Sequence, residues 1–311
     1  MALAPILLLA LGGNALIRKG QEGSIEQQFE NLKTPLKQVA RLSQTFRIIL
    51  THGNGPQVGD LLLRQECCSK NTAKLPLEIL VAQTQGQIGY MIESSLDTEL
   101  MELEGAEQKP LVSLLSYVVV DANDPGFGNP TKPIGPVLRE DQALSAPYPV
   151  RETAKGPRRV VASPRPITIV EKREIKRLID QDFIVICCGG GGIPVIRQGR
   201  KFCGVDAVID KDLASSCLAR EVGVEIFCIV TDVEGAYLDY GTPEQHLLGT
   251  VTASEARRLL ATGAFPPGSM GPKVEACLEF LGNGGREAVI CSIDSIDQAV
   301  AGRSGTRIVR D

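Results

Sequence analysis

Three lysines stand beside chain breakers and outside any solvated run of charge. Lys132 lies in Pro-Thr-Lys-Pro, Lys211 in Ile-Asp-Lys-Asp and Lys273 in Gly-Pro-Lys. Transfer of a phosphoryl group develops negative charge on its nonbridging oxygens, which fixed ammonium groups can neutralise through the transition state. Each lysine taken alone also fits a surface role: Lys211 pairing with Asp210 or Asp212, Lys273 opening a helix, Lys132 in a loop. Asp210 and Asp212 are two residues apart and cannot share a face of one regular helix. One of them is therefore expected to orient Lys211, the other to meet solvent or metal-linked groups. Asp232, just after an apolar run, suits contacts to a nucleotide, and equally a turn or helix cap.

The glycines give these lysines a setting. Four apolar segments end in Gly12-Gly13-Asn14, in Gly53-Asn54-Gly55, in the run Gly189 to Gly192, and in Thr231-Asp232. Ligands of parallel sheets bind beyond the carboxyl ends of the strands. Glycine there permits tight turns and bares backbone N–H groups that cradle phosphate oxygens, and following helix N-termini add partial positive charge. His52 falls in one such loop, as a phosphate neighbour or a local hydrogen-bonding group; His246 reads as ordinary. The standard dinucleotide, P-loop, protein-kinase and serine-hydrolase motifs are absent, so any phosphate donor is held by another arrangement.

The elements that must carry these loops alternate. Strands are expected at 5–11, 46–51, 111–120, 183–188, 225–230 and 287–293, with a final edge strand at 306–309. Helices are expected at 25–42 with a break at Pro35, after Pro56, and at 76–100 despite Gly86 and Gly89. Further helices are expected at 169–181, 206–222, 254–262, 269–281 and 295–301. Alternation of this kind predicts an α/β fold with a largely parallel sheet covered on both faces. Residues 121–166 are rich in Pro, Gly and charge, and are read as a protruding subdomain or lid with some hairpin structure.

Composition narrows the partners. The 311 residues carry 33 Lys plus Arg against 37 Asp plus Glu, a net charge of -4, which gives no general attraction to nucleic acid or anionic membrane. Aromatic residues are 4% with no Trp, too few for base-stacking platforms. No apolar run reaches membrane-spanning length, and the apolar start lacks the basic flank of a signal peptide. Nine cysteines, without a C-x-x-C pair and with only two histidines, fit buried reduced thiols and a cytoplasmic protein better than a metal site.

Taken together, in order and over nearly the whole chain, these landmarks resemble the carbamate kinases of the amino acid kinase family. They run from Leu11-Gly12-Gly13-Asn14-Ala15 and Thr51-His52-Gly53-Asn54-Gly55-Pro56-Gln57-Val58-Gly59 through Gln85-Gly86 and Asp124-Pro125. Asn129-Pro130-Thr131-Lys132-Pro133-Ile134-Gly135, Arg158-Arg159-Val160-Val161, Ala207-Val208-Ile209-Asp210-Lys211-Asp212-Leu213 and Gly268-Ser269-Met270-Gly271-Pro272-Lys273 follow. The resemblance implies a three-layer α/β/α sandwich over residues 1–311, with 121–166 as an inserted substrate-covering lid, and a homodimer. It implies phosphoryl transfer between carbamoyl phosphate and ADP, with Mg²⁺ carried by ADP or ATP and no dedicated metal ligands. By similarity Lys132 covers the carbamoyl phosphate, Lys211 and Lys273 stabilise the phosphoryl oxygens, and Asp210 orders the lysines. Gly12, Gly13, Asn14, Gly53, Asn54 and Gly55 would surround the transferred group; Gly191, Thr231, Asp232, Tyr237, Met270 and Gly271 would face the nucleotide. Thr84, Gln87, Pro157 and Cys188 depart from the usual pattern, and none is one of the three lysines. Another small-acid kinase of the same fold is the alternative, and a binding protein without catalysis a more distant one.

Overall fold

Ile6-Leu-Leu-Leu-Ala-Leu11 is apolar on both alternating faces, as a strand must be when helices cover it on either side. It forms the centre of an eight-stranded sheet in the computed structural model, which describes residues 3–67, 73–105, 108–153, 156–266 and 268–311. The first half of the chain runs β1 (Ile6–Leu11), α1 (Ile25–Leu42), β2 (Arg47–His52), α2 (Gly55–Cys67), α3 (Leu77–Met101), β3 (Leu111–Ser113) and β4 (Tyr117–Val120). Next come β5 (Lys132–Ile134), α4 (Glu140–Ser145), β6 (Val150–Thr153), β7 (Gly156–Val161) and β8 (Pro166–Ile169). The chain continues with α5 (Lys172–Asp180), β9 (Ile184–Ile186), β10 (Ile193–Gln198), β11 (Lys201–Gly204), α6 (Lys211–Val222) and β12 (Ile226–Thr231). It closes with β13 (Tyr237–Leu238), β14 (His246–Leu247), β15 (Thr250–Thr252), α7 (Ala253–Ala261), α8 (Met270–Gly282), β16 (Glu287–Ser292), α9 (Ile296–Val300) and β17 (Thr306–Val309).

The sheet order is β15-β17-β16-β12-β1-β2-β9-β3. From β16 to β3 every pair is parallel, and only β17 runs antiparallel to its neighbour β16. Leu8 and Ala10 of β1 join one core with α5, α6 and α8, while Leu7, Leu9 and Leu11 join another with α1, α3 and α9. The result is the three-layer α/β/α sandwich. A third cluster links Val58 and Leu62 of α2 with Leu80 and Val81 of α3, Ile134 of β5 and Val208. It seats a separate antiparallel sheet, β5-β7-β6, against the body.

Several expected boundaries shift, each for a local reason. Pro35 does not break α1: Leu32, Leu36 and Val39 are wholly buried around it, and packing outweighs the missing hydrogen bond. The segment 111–120 is two strands in two sheets. Between them Ser116 is clasped by Gln85, which accepts from its N–H at 2.9 Å and donates to its carbonyl at 3.2 Å. The helix expected from 206 begins at Lys211, because Asp210 caps it by accepting from the N–H of Asp212 at 2.8 Å. Pro166–Ile169 pairs with β4 as a strand, and the helix expected from 169 starts at Lys172. β17 is not at the edge, since β15 lies outside it. The β10–β11 hairpin carries no expectation from the sequence at all.

Candidate active site

The loops after β1, β2, β9 and β12 emerge at one end of the sheet, so the glycine-rich segments share one rim. Gly12 donates to Val230 O at 3.0 Å, and a Cβ there would sit 2.8 Å from the same oxygen, so this position requires glycine. Gly53 donates to Leu11 O at 3.1 Å, and a Cβ on it would lie 3.5 Å from Gly13 N and 3.6 Å from Lys211 Cδ. The first two loops and the first helical residue of α6 therefore meet.

The charges converge there. Lys211, 8% exposed, donates to Asp212 Oδ1 and, at 3.2 Å, to the carbonyl of Ala10. Lys273, near the start of α8, donates to the other oxygen of Asp212 at 2.9 Å. Lys132, the first residue of β5, reaches Asp210 Oδ2 at 2.6 Å. Burial opposes ionisation of both aspartates, but the surrounding lysines outweigh it and hold both carboxyls below the usual carboxylate range. Burial pushes Lys211 down, with Lys273 adding repulsion, although Asp212 opposes the shift. For Lys273 burial is overcome chiefly by Asp212, and its affinity for the proton rises. Asp210, expected to order the lysines, caps α6 and hydrogen-bonds Lys132, while Asp212 hydrogen-bonds Lys211 and Lys273. The reason is backbone geometry, since Asp210 is extended and outside the helix, so the two carboxylates diverge.

The glycine run 189–192 is a packing requirement. A Cβ on Gly189 would lie 2.3 Å from His52 Nε2, one on Gly190 2.2 Å from Asn54 Nδ2, and one on Gly191 2.4 Å from Ile209 O. The carboxamide of Asn54 thus lies flat on Gly190, and it donates to Thr84 Oγ1 at 2.9 Å. Gln85 donates to Gly189 O at 3.1 Å. His52 is fully enclosed and pairs Nδ1 with Gly53 O at 3.1 Å; a carbonyl accepts, so that nitrogen carries the proton. Burial pulls its pKa down to about 4, and nearby Lys211 adds to this, so the ring is neutral. Thr84 and Gln85 are supports that the sequence reading did not place, although each lies within a motif it quoted or beside one; of the two aspartates expected to orient Lys211, Asp212 is the one that does.

The positions expected to face a nucleotide lie further along the rim. Thr231 ends β12 and donates to Asp232 Oδ1 at 3.2 Å; Asp232 also lines a cavity of about 170 Å³ with Asn14, Arg18 and Asp294. Met270 and Gly271 open α8 one turn before Lys273. Tyr237 is half-buried, donates to Glu234 at 3.3 Å and packs beside Tyr240. A cavity of about 550 Å³ behind β7, lined by Glu66 and Arg159 among others, touches none of the three lysines.

The profile of the amino acid kinase family matches residues 5–292. The carbamate kinase of Thermococcus kodakarensis is 44% identical over 314 residues, which cover 98% of this chain and 99% of that protein. The structure of carbamate kinase from Giardia lamblia bound to citric acid superposes with a TM-score of 0.93 at 37% identity, over 100% of both chains. The same organism's carbamate kinase bound to AMP-PNP superposes at 0.90, again with 37% identity over 100% of both.

Proposed function

The chain belongs to the amino acid kinase family, within its carbamate kinase branch, and from that premise we propose how its residues carry the reaction. Phosphoryl transfer runs reversibly between carbamoyl phosphate and ADP, giving ATP and carbamate. The observation that carries the residue assignment is the buried ion cluster at the strand ends, where Asp212 binds two lysines and Asp210 a third.

A β-phosphate oxygen of ADP attacks the phosphorus, the bond to the carbamate oxygen breaks, and carbamate leaves as an anion. Nucleophile and leaving group are both anions, so neither needs a proton moved, and neutral His52 is a fixed strut with no part as acid or base. An acyl phosphate is already an activated donor, so alignment and charge compensation suffice without a covalent intermediate. Lys211 and Lys273 compensate the charge on the transferring oxygens. Their shared carboxylate holds two like charges close together before substrate arrives, so little reorganisation remains at the moment of reaction. Lys132 reaches in from residues 121–166, which we assign as the lid that covers the donor and excludes water. Gly12, Gly13, Asn14, Gly53, Asn54 and Gly55 surround the donor; Gly191, Thr231, Asp232, Tyr237, Met270 and Gly271 lie toward the nucleotide.

Among the described residues no three of His, Cys, Asp and Glu group as metal ligands. We assign Mg²⁺ to the nucleotide's phosphates, where it would supply charge compensation, with Asp232 the acid at hand. The assignment extends to a homodimer and to the cytoplasm; no helix among the described residues is long and apolar enough to cross a membrane.

ATP formed from carbamoyl phosphate, ADP and Mg²⁺ tests the assignment, with Lys132→Ala and Lys211→Ala as variants. Robust ATP formation by the wild type, with both variants lowered by a hundredfold or more, is expected, on the order of one lost charge-stabilising group. Normal turnover in either variant removes that lysine from the mechanism.

A further inference from the structure

Two hydroxyls lie where β2 meets α6, beneath the lysine cluster. Thr51 in β2 and Ser215 in α6 are both wholly buried. Valine would fill the space of Thr51, and alanine most of that of Ser215, with no polar group to satisfy. The hydroxyls that stand there instead are both paired, and the pairing leads to Lys211.

Ser215 Oγ donates to the carbonyl of Lys211 at 2.6 Å. A hydroxyl has one proton, so Ser215 can only accept from Thr51, whose Oγ1 donates to it at 2.7 Å. The side chain of the same lysine is held on the neighbouring strand, since its Nζ donates to Ala10 O at 3.2 Å. Ala10 is the residue of β1 that pairs with Thr51. Lys211 is thus fixed at both ends to paired residues of adjacent strands, its backbone through the hydroxyls to β2 and its ammonium to β1. Thr51 also leads into the donor loop, two residues before Gly53, where a Cβ would lie 3.6 Å from Lys211 Cδ. A serine bonded to the carbonyl one turn back often bends a helix. Here that carbonyl belongs to the first residue of α6, so the bond acts on the turn from which Lys211 projects.

We propose that Thr51 and Ser215 are positioning residues for phosphoryl transfer: their hydroxyls register the first turn of α6 against the donor loop and so aim the Lys211 ammonium at the transferring oxygens. This rests on the role given to Lys211 above. Without the hydroxyls the lysine stays charged and near, so its attraction for bound substrate persists. What is lost is the alignment needed in the transition state, and the effect belongs in kcat and not in KM.

Thr51→Val keeps the shape of the side chain and deletes its donor. In ATP formation from carbamoyl phosphate and ADP, kcat should fall roughly 10- to 100-fold, the scale of a displaced catalytic group, with both KM values within about twofold of the wild type. Thr51→Ser, which restores the hydroxyl, should recover most of the rate. Combining Thr51→Val with Ser215→Ala should cost no more than the worse single change, as expected of two groups acting in series. An unchanged kcat in Thr51→Val overturns the proposal. So does a Thr51→Ser variant as slow as Thr51→Val, which would make position 51 a matter of packing, and so do additive losses in the double variant. If Thr51→Val does not fold, Ser215→Ala decides by the same split between kcat and KM, because alanine suits a helix interior. Lys211→Ala separates the proposal from its premise. Normal turnover there overturns the role of the lysine and the proposal with it, whereas loss there beside a normal Thr51→Val overturns the proposal alone.

Discussion

His52 is the residue where burial and charge make the sharpest prediction. Its ring stays neutral in the fold down to about pH 4, whereas in the unfolded chain it titrates near 6.5. Between those values the unfolded chain holds the extra proton, so stability falls as the pH drops from 6.5 toward 4. The loss reaches about 3 kcal/mol from this group. Asn at position 52 keeps a donor for Gly53 O and cannot titrate; urea unfolding at pH 7, 5 and 4 should show a smaller decline in His52→Asn than in the wild type. Identical declines would mean that the ring is not the buried neutral group described. The three lysines were legible in the sequence because proline, glycine and aspartate flank them where a solvated helix face would not. The division of labour between Asp210 and Asp212 was not, because it depends on a helix beginning between them, and spacing alone does not locate a cap. Gln85 was visible only as part of a motif: its grip on Ser116 joins residues 31 apart, beyond the reach of local pattern.

At the scale of elements, the contact between α2 and β5 governs how the lysine of the small sheet is aimed. A Cβ on Gly59 would fall 2.0 Å from Gly135 N, backbone against backbone, and Gly135 N also donates to Gly55 O at 3.0 Å. Arg158 closes the junction by donating twice to Gly135 O, at 3.1 and 2.6 Å. Gly59→Ala must push β5 away, and Lys132 with it. The variant should retain nucleotide binding and lose at least tenfold in turnover, measured as ATP formation beside ADP binding by calorimetry; unchanged turnover would show that the seat tolerates displacement. The strands ending in glycine were legible because buried parallel strands are continuous apolar runs. The break inside 111–120 was not, since Leu111 to Val120 is apolar across a switch of sheets that Gln85 enforces from α3. Pro35 misled in the opposite sense: a strong local rule yielded to a fully buried helix face.

At the scale of the whole molecule, the proposed chemistry occupies one rim, and two large apolar cores lie beneath it. Metal removal should separate activity from stability. With no group of metal ligands among the described residues, a chelator should leave the Tm of the nucleotide-free protein unchanged and abolish ATP formation, restored by Mg²⁺. A Tm that falls by several degrees on chelation would point to a structural ion instead. The α/β alternation foretold this layering, whereas the insertion of β17 between β16 and β15 is a matter of long-range pairing. The central position of β1 has a consequence for synthesis. Its hydrogen bond from Ile6 N to Glu225 spans 219 residues. At translation rates of 5–20 residues per second, one edge of this apolar strand waits roughly 10 to 40 s for its neighbour β12 to be made. During that interval the nascent chain carries an open, sticky edge of the kind that recruits other strands. Chaperone supply should therefore limit the yield of this protein in an overexpressing cell more than the stability of its finished fold.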